Sequence, residues 1–161
     1  GKAAEKGDMQ PLALLTGANS GGKTTLLELL AHTCILAHMG LPVPAKQARV
    51  GNVDALHILA KAGGTQSAGA LEQTLVELAN VVSDPTPKLI LADEFLGELD
   101  EETMTLVLEK VTNYVRESNS TLIVVEHDIT RGKQMADRLL IMDDGRLNPF
   151  VSSPIAMEVR K

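Results

Sequence analysis

Residues 14–30 read LLTGANSGGKTTLLELL, and this stretch decides the fold. An apolar run that begins at Pro11 stops at Gly17, as a strand buried in a parallel sheet does. A glycine-rich turn follows, and then a leucine-rich helix is predicted from about Lys23 to Met39. The stretch therefore predicts a strand, a tight turn and a helix in direct succession.

The glycine-rich turn matches the phosphate-binding pattern G-x-x-x-x-G-K-[ST]. Its residues are Gly17, Ala18, Asn19, Ser20, Gly21, Gly22, Lys23 and Thr24, and Thr25 follows them. Glycines let successive backbone N–H groups point at an anion, and the next helix adds its positive N-terminal end. Lys23 is expected to reach the β- and γ-phosphates of a nucleotide, and the Thr24 hydroxyl is expected to ligate Mg²⁺. We therefore predict that residues 17–25 bind the phosphates of a nucleotide.

The rest of the chain continues the alternation of strands and helices. Apolar runs predict strands at 88–93, 121–126 and 138–143, and an extended segment within 50–61. Helical spacing of apolar residues predicts helices at about 70–82, 101–117 and 130–136. This order predicts an α/β fold of the P-loop NTPase type, a mostly parallel sheet with helices on both faces. Such sheets bind their ligands beyond the carboxyl ends of the strands.

The strand predicted at 88–93 ends in two carboxylates, Asp93 and Glu94. Ionised carboxylates are costly to bury, so a buried strand does not end in a pair of them without compensation. A bound Mg²⁺ supplies that compensation, and Asp93 is the residue expected to contact it. Glu94 is then expected to polarise an attacking water, which favours hydrolysis over phosphate transfer to another substrate. The alternative is that both acids simply begin a solvated loop.

The strand predicted at 121–126 is followed by His127, at the same edge of the sheet. An imidazole there could hydrogen-bond the γ-phosphate or the attacking water. A lone histidine after a strand is usually structural, but here three strand ends carry GKT, DE and HD in turn. We therefore predict Lys23, Glu94 and His127 as the catalytic residues.

The composition of the chain restricts its class. It has 161 residues, 44% hydrophobic and 22% charged, which is enough for one compact domain with its own core. The net charge of −6 disfavours a general affinity for nucleic acid, because binding a phosphate backbone needs a surplus of Lys and Arg. The most apolar stretch, 26–43, carries Glu28 and two histidines and favours a core helix over a membrane span. With one cysteine and a polar start, we expect a cytoplasmic protein without membrane contact.

These residues together resemble the ABC-class ATPases, and within them the ATPase domain of the MutS DNA mismatch-repair family. TGANSGGKTT at 16–25 looks like that family's phosphate loop. MGLPVPAKQARVGNVDALHIL at 39–59 is similar to the segment that follows it, and ELAN at 77–80 resembles an E-x-A-N patch before the second strand. The likeness covers residues 12–94, and it is nearest to the shorter, archaeal-type MutS-like branch.

This resemblance implies a site shared between two copies of the chain. In ABC-class ATPases a signature loop of one protomer caps the γ-phosphate bound by the other, so a homodimer through the ATP sites is expected. The best candidates for that loop are Thr65, Ser67 and Gly69, and Asp100 matches the acid of the D-loop. None of the three aromatic residues is well placed to stack on adenine. DNA would be bound by domains outside this chain.

The expected function is that of a Mg²⁺-dependent ATPase domain of a MutS-like DNA repair or recombination protein. ATP would close the dimer and hydrolysis would reopen it. We expect residues 1–161 to form one ATPase domain of a longer chain, with flexible ends at 1–10 and 151–161.

Three alternatives stay open. FLGELD at 95–100 and ADRLLIMDDGRL at 136–147 look more like a transporter-type or SMC-like ABC ATPase. A small-molecule kinase is disfavoured, because a kinase gains nothing from the water-polarising pair of Glu94 and His127. A catalytically silent nucleotide switch would keep the phosphate loop without turnover.

Overall fold

A computed structural model describes residues 11–18, 22–60, 68–94, 97, 99–127, 133 and 135–149. Within these residues the chain forms six strands and three helices. In chain order they are β1 (Leu12–Gly17), α1 (Lys23–His38), β2 (Ala55–Ala60), α2 (Ala68–Ser83), β3 (Lys88–Asp93), α3 (Glu101–Glu117), β4 (Thr121–Val125), β5 (Arg138–Asp143) and β6 (Arg146–Pro149). The alternation of strand and helix is the one that the sequence predicts.

The six strands form one sheet in the order β2-β3-β4-β1-β5-β6. The first five are parallel to their neighbours, and β6 pairs antiparallel with β5. Val125 of β4 is in register with Asp93 on one side and with Leu15 on the other. The carboxyl ends of β3, β4 and β1 therefore lie side by side at one edge of the sheet.

The helices cover both faces of this sheet, as predicted. Ile90 and Ala92 of β3 belong to an apolar cluster with α2 and α3, whereas Leu91 belongs to a second cluster with α1. Successive side chains of a strand point to opposite faces, so a central strand buried on both faces must be apolar throughout. Ile90, Leu91 and Ala92 are all fully buried, which explains why the run predicted this strand so well.

Most predicted elements are confirmed, and the differences are at their ends. β3, α3 and β5 have the predicted bounds. α2 begins at Ala68, earlier than predicted, so Gly69 lies in its first turn and not in a loop. The apolar pattern becomes visible only one turn later, which explains the error. The helix predicted at 130–136 falls mostly outside the described residues.

The strand β6 is an addition that the sequence analysis did not predict. Asp144 and Gly145 both have positive φ, 43° and 72°, as the two central residues of a type I′ hairpin turn require. All four residues of β6 are exposed and show no apolar alternation, so no local pattern predicts this strand. The hairpin therefore extends the sheet beyond the predicted parallel part.

A cavity of about 410 Å³ lies beside α1, away from the carboxyl edge of the sheet. Leu89 and Ile123 are among its lining residues. Cys34 also lines it and is buried, and burial raises the pKa of its thiol. Across the described part of the chain, every helix is too short or too polar to cross a membrane.

Candidate nucleotide site

The turn after β1 depends on glycine for steric reasons. Gly17 has a φ of +143° and lies against the backbone of β5, where an added Cβ would sit 2.2 Å from the carbonyl oxygen of Met142. Gly22 has a φ of +86°, a conformation that glycine adopts without cost. Both ends of the predicted phosphate loop are thus restricted to glycine by the protein itself. Asn19, Ser20 and Gly21 lie outside the described residues.

Lys23 begins α1 and turns its side chain back into the loop. Its ammonium donates to the carbonyl oxygens of Gly17 and Ala18, each at 2.7 Å. Only 4% of Lys23 is exposed, and a buried ammonium needs such acceptors. The charge is therefore held at the loop, while Thr25 in the same first turn of α1 is exposed to solvent.

Thr24 joins the loop to the end of β3. Its hydroxyl donates to Asp93 Oδ2 at 2.8 Å, across 69 positions of sequence. A hydroxyl and a carboxylate are the oxygen ligands that Mg²⁺ prefers, and Mg²⁺ commonly takes its other ligands from phosphates and waters. Among the described residues no three His, Cys, Asp or Glu side chains cluster to hold a metal by themselves. The pair fits a cation that a nucleotide helps to bind.

Glu94 and His127 meet at the ends of β3 and β4. His127 Nε2 lies 2.5 Å from Glu94 Oε1, and both side chains are partly exposed. The backbone N–H of Glu94 donates to the carbonyl oxygen of Val125, which fixes Glu94 to the neighbouring strand. Glu94 has a φ of +51°, a left-handed conformation that is uncommon for a residue with a side chain and recurs at functional sites. The fold therefore holds this carboxylate in place beside Asp93.

A cavity of about 170 Å³ lies between these groups. Among the described residues, its lining is formed by Thr24, Ala60, Asp93 and Glu94. Ala60 was not among the predicted site residues. It ends β2 in register with Asp93, but the sequence showed this segment only as extended, and alanine has no reactive group to draw attention. Only the parallel pairing of β2 with β3, which the sequence does not reveal, places Ala60 beside the site.

The described residues expected to act across a dimer lie on separate elements. Asp100 is the N-cap of α3 and accepts from the backbone N–H of Thr103 at 3.0 Å and from its hydroxyl at 2.7 Å. These bonds hold the pKa of Asp100 below its usual value. Gly69 is exposed in the first turn of α2. Thr65 and Ser67 lie outside the described residues.

Comparison with known proteins decides the family. The family model described as MutS domain V matches residues 13–127. The chain belongs to the MutS domain V family. MutS domain V is a P-loop ATPase domain, so the resemblance to MutS ATPases and the fold class are confirmed. The matched range contains Lys23, Thr24, Asp93, Glu94 and His127.

Individual relatives agree with the assignment to MutS domain V. The chain is 38% identical over 116 residues to the DNA-binding protein MutS2 of Pyrococcus furiosus, which covers 72% of this chain and 21% of that protein. It is 27% identical over 132 residues to the DNA mismatch repair protein MutS of Syntrophomonas wolfei, covering 77% and 15%. The chain thus spans about a fifth of the MutS2 protein and less of the MutS protein.

A weaker similarity leads outside the family. The chain is 29% identical over 170 residues to the aliphatic sulfonates import ATP-binding protein SsuB 2 of Frankia alni, which covers 86% of this chain and 69% of that protein. This similarity has a lower identity than the MutS2 relative, but it extends over more of the chain.

Proposed function

We propose that this domain binds ATP with Mg²⁺ and hydrolyses it to ADP and phosphate, as the ATPase domain of an archaeal-type MutS-like DNA repair or recombination protein. The observation that carries the proposal is the hydrogen bond from Thr24 to Asp93. It brings the phosphate loop and the end of β3 to one edge of the sheet, where Glu94 and His127 also meet.

In the proposed complex, residues 17–25 hold the phosphates through their backbone N–H groups and the positive end of α1. The ammonium of Lys23 exchanges its two carbonyl acceptors for oxygens of the β- and γ-phosphates. Thr24 and Asp93 would hold Mg²⁺, which would neutralise charge on the phosphate oxygens. The two short charge-assisted bonds from Lys23 to loop carbonyls support this placement of the ammonium.

Hydrolysis needs a base for the attacking water, and Glu94 supplies it. The water oxygen forms a bond to the γ-phosphorus, the bond from that phosphorus to the bridging oxygen breaks, and Glu94 accepts the proton of the water. His127 bonds to Glu94 Oε1 and leaves its other carboxylate oxygen available to the water. The imidazole thereby orients the base toward the phosphate end of the site.

Exchange of Glu94 for glutamine tests this assignment. Glu94→Gln keeps the shape of the side chain and a hydrogen-bonding oxygen, but it removes the base. We expect ATP binding to persist while turnover falls by roughly 100-fold or more, as for loss of a general base. Glu109→Gln makes the same change on the exposed face of α3 and serves as the matched control. Wild-type turnover in Glu94→Gln would exclude Glu94 as the base.

The same variant tests the proposed dimer. We propose that two copies pair through their ATP sites, that Thr65, Ser67 or Gly69 caps the partner's γ-phosphate, and that Asp100 lies at that contact besides capping α3. DNA is then moved by domains outside this chain. Sedimentation of Glu94→Gln with Mg²⁺ and ATP should show a dimer that wild-type protein forms only transiently. A monomer at all protein concentrations with ATP bound would contradict ATP-driven closure.

The second candidate is a transporter-type or SMC-like ABC ATPase. It is favoured by the similarity to the SsuB 2 protein over 86% of the chain, since the MutS domain V match stops at residue 127. The hairpin of β5 and β6 lies beyond that point. Isolation of the full-length protein separates the two candidates. A membrane permease or a long coiled coil that copurifies with it would favour the second, and an ATP-dependent change in DNA binding would favour the first.

A further inference from the structure

We infer that Ala60 is a positioning residue for the hydrolytic water, because its small side chain keeps open the chamber beside Glu94. The inference rests on the proposed ATPase function. It concerns the cavity of about 170 Å³, which four of the described residues line: Ala60, the two proposed metal ligands and the proposed base. Ala60 is the only one of the four without a polar side chain.

The volume of the chamber suits water. One bound water needs only about 10–15 Å³ of room for its centre, so a chamber of about 170 Å³ has room for several waters. Thr24, Asp93 and Glu94 supply one hydroxyl and two carboxylates as hydrogen-bond partners, and a bound water needs two to four such partners. The methyl side chain of Ala60 offers no hydrogen bond to water, so its contribution is the space that its small size leaves.

The fold gives Ala60 little freedom to move away. β2 pairs in parallel with β3 over six residues, and the last pair is Ala60 with Asp93. The backbone N–H of Asp54, just before β2, also donates to Pro87 at 2.8 Å. The wall of the chamber and the carboxylate beside it are thus parts of one hydrogen-bonded ladder.

The direction of the Ala60 side chain follows from the alternation along β2. Leu56 packs in the cluster on the α1 face of the sheet, and Leu59 packs in the cluster on the opposite face. Because side chains alternate along a strand, Ala60 shares the face of Leu56. Thr24 in the first turn of α1 lies on that face as well, so atoms added to Ala60 would enter the chamber.

A larger side chain should slow hydrolysis without weakening nucleotide binding. Valine at this position adds two carbons to the chamber and narrows the space beside Glu94 in which the attacking water must be placed. The phosphate loop follows β1, which is separated from β2 by β3 and β4, and Thr24 is the one described residue of that loop that lines the chamber, so the affinity for ATP should change less than turnover. This split between turnover and binding is the signature of a positioning role.

The first experiment compares Ala60→Val with Ala55→Val. Both place a β-branched residue, which strands accommodate well, at opposite ends of β2. We expect the kcat of Ala60→Val to fall by roughly 10- to 100-fold, as for a small misplacement at a reacting centre, with little change in ATP affinity. Ala55→Val should keep the kcat of the wild type. Equal kcat values in Ala60→Val and wild type, or equal losses in both variants, would overturn the inference.

A second variant removes any dependence on folding. Ala60→Cys is folded first and then treated with methyl methanethiosulfonate, which adds a methylthio group that reductant removes. Native Cys34 is buried, and treated wild-type protein is the control for it. Turnover should fall on modification and return on reduction. Unchanged turnover of the modified variant overturns the inference alone, whereas wild-type protein without any turnover overturns the proposed function itself.

Discussion

The charged side chains at the two ends of β3 differ in how fully they are hydrogen-bonded. At its first residue, Lys88 is 2% exposed and its ammonium donates to Asp84, Thr86 and the hydroxyl of Tyr114 at 2.6 to 2.9 Å. At its last residue, Asp93 is only partly buried, and the one side-chain bond that it makes among the described residues comes from Thr24. The ammonium of Lys88 is fully hydrogen-bonded, whereas the carboxylate of Asp93 keeps acceptor positions that no other described side chain uses.

This contrast separates stability from function. The Lys88 network has no donor left for a ligand, and it ties the turn before β3 to α3 through Tyr114. Among the described side chains, the carboxylates at the other end contact only Thr24 and His127, so their other lone pairs stay available to a ligand or to solvent. Groups held ready for a ligand in this way commonly cost a protein some stability. Changes at the carboxyl end should therefore alter activity, and changes at the amino end should alter stability.

The largest expected effect is the loss of nucleotide binding in Lys23→Ala. Two bonds from an ammonium to phosphate oxygens contribute enough that affinity for ATP should fall by roughly 100-fold or more. Titration calorimetry with ATP and Mg²⁺ measures it, and Lys110→Ala on the exposed side of α3 is the control. Unchanged affinity would refute the phosphate-loop assignment.

The next effect is a loss of stability at the other end of β3. Lys88→Met leaves the acceptors of a buried ammonium without a donor, and we expect it to lower the free energy of unfolding by about 3 kcal/mol. Tyr114→Phe removes one hydroxyl from the same network and should cost about 1 kcal/mol. Urea unfolding measures both. At urea concentrations below the unfolding transition, both variants should bind ATP with the wild-type affinity. A loss of ATP affinity alongside the loss of stability would contradict the view that the amino end of β3 serves stability and the carboxyl end serves activity.

Lys88 also predicts how stability changes in alkali. Burial lowers the pKa of Lys88, but the bonds to Tyr114 and Asp84 outweigh burial, so the pKa is raised above its usual value of 10.5. A raised pKa means that the stabilisation is fully present below the unfolded value and is lost as the pH rises through the folded value. Wild-type protein should therefore lose stability above about pH 10.5 more steeply than Lys88→Met.

The smallest effect concerns the cap of α3, which follows the Glu94 loop. Asp100→Ala should lower Tm, because the backbone N–H of Thr103 loses its acceptor, whereas Asp100→Asn should retain the cap. The pKa of Asp100 is lowered, so its stabilisation is present above the unfolded value and is lost as the pH falls through the folded value. Tm should therefore depend less on acid pH in Asp100→Asn than in the wild type. Identical pH profiles would contradict the capping role of the carboxylate.

Elements with a strong local pattern were predictable from the sequence. α3 and β3 have the predicted bounds because periodicity and apolar runs are local properties. Asp100 was interpreted only as a D-loop acid, although an Asp before two glutamates is also a helix start signal. Tyr114, one of the three aromatic residues of the chain, lies at the amino end of β3 and accepts a hydrogen bond from Lys88. Such pairings join distant segments and leave no local pattern.

The sequence by itself determined the chemistry of the chain: a glycine-rich loop with Lys23, two acids after a buried strand, and a histidine after the next. Only the tertiary structure decided which of these groups meet. Thr24 reaches Asp93, His127 reaches Glu94, and Ala60 closes the space between them, because crossovers place β2, β3 and β4 side by side. Local periodicity specifies a strand and its faces, whereas its neighbours are set by the packing of the whole sheet.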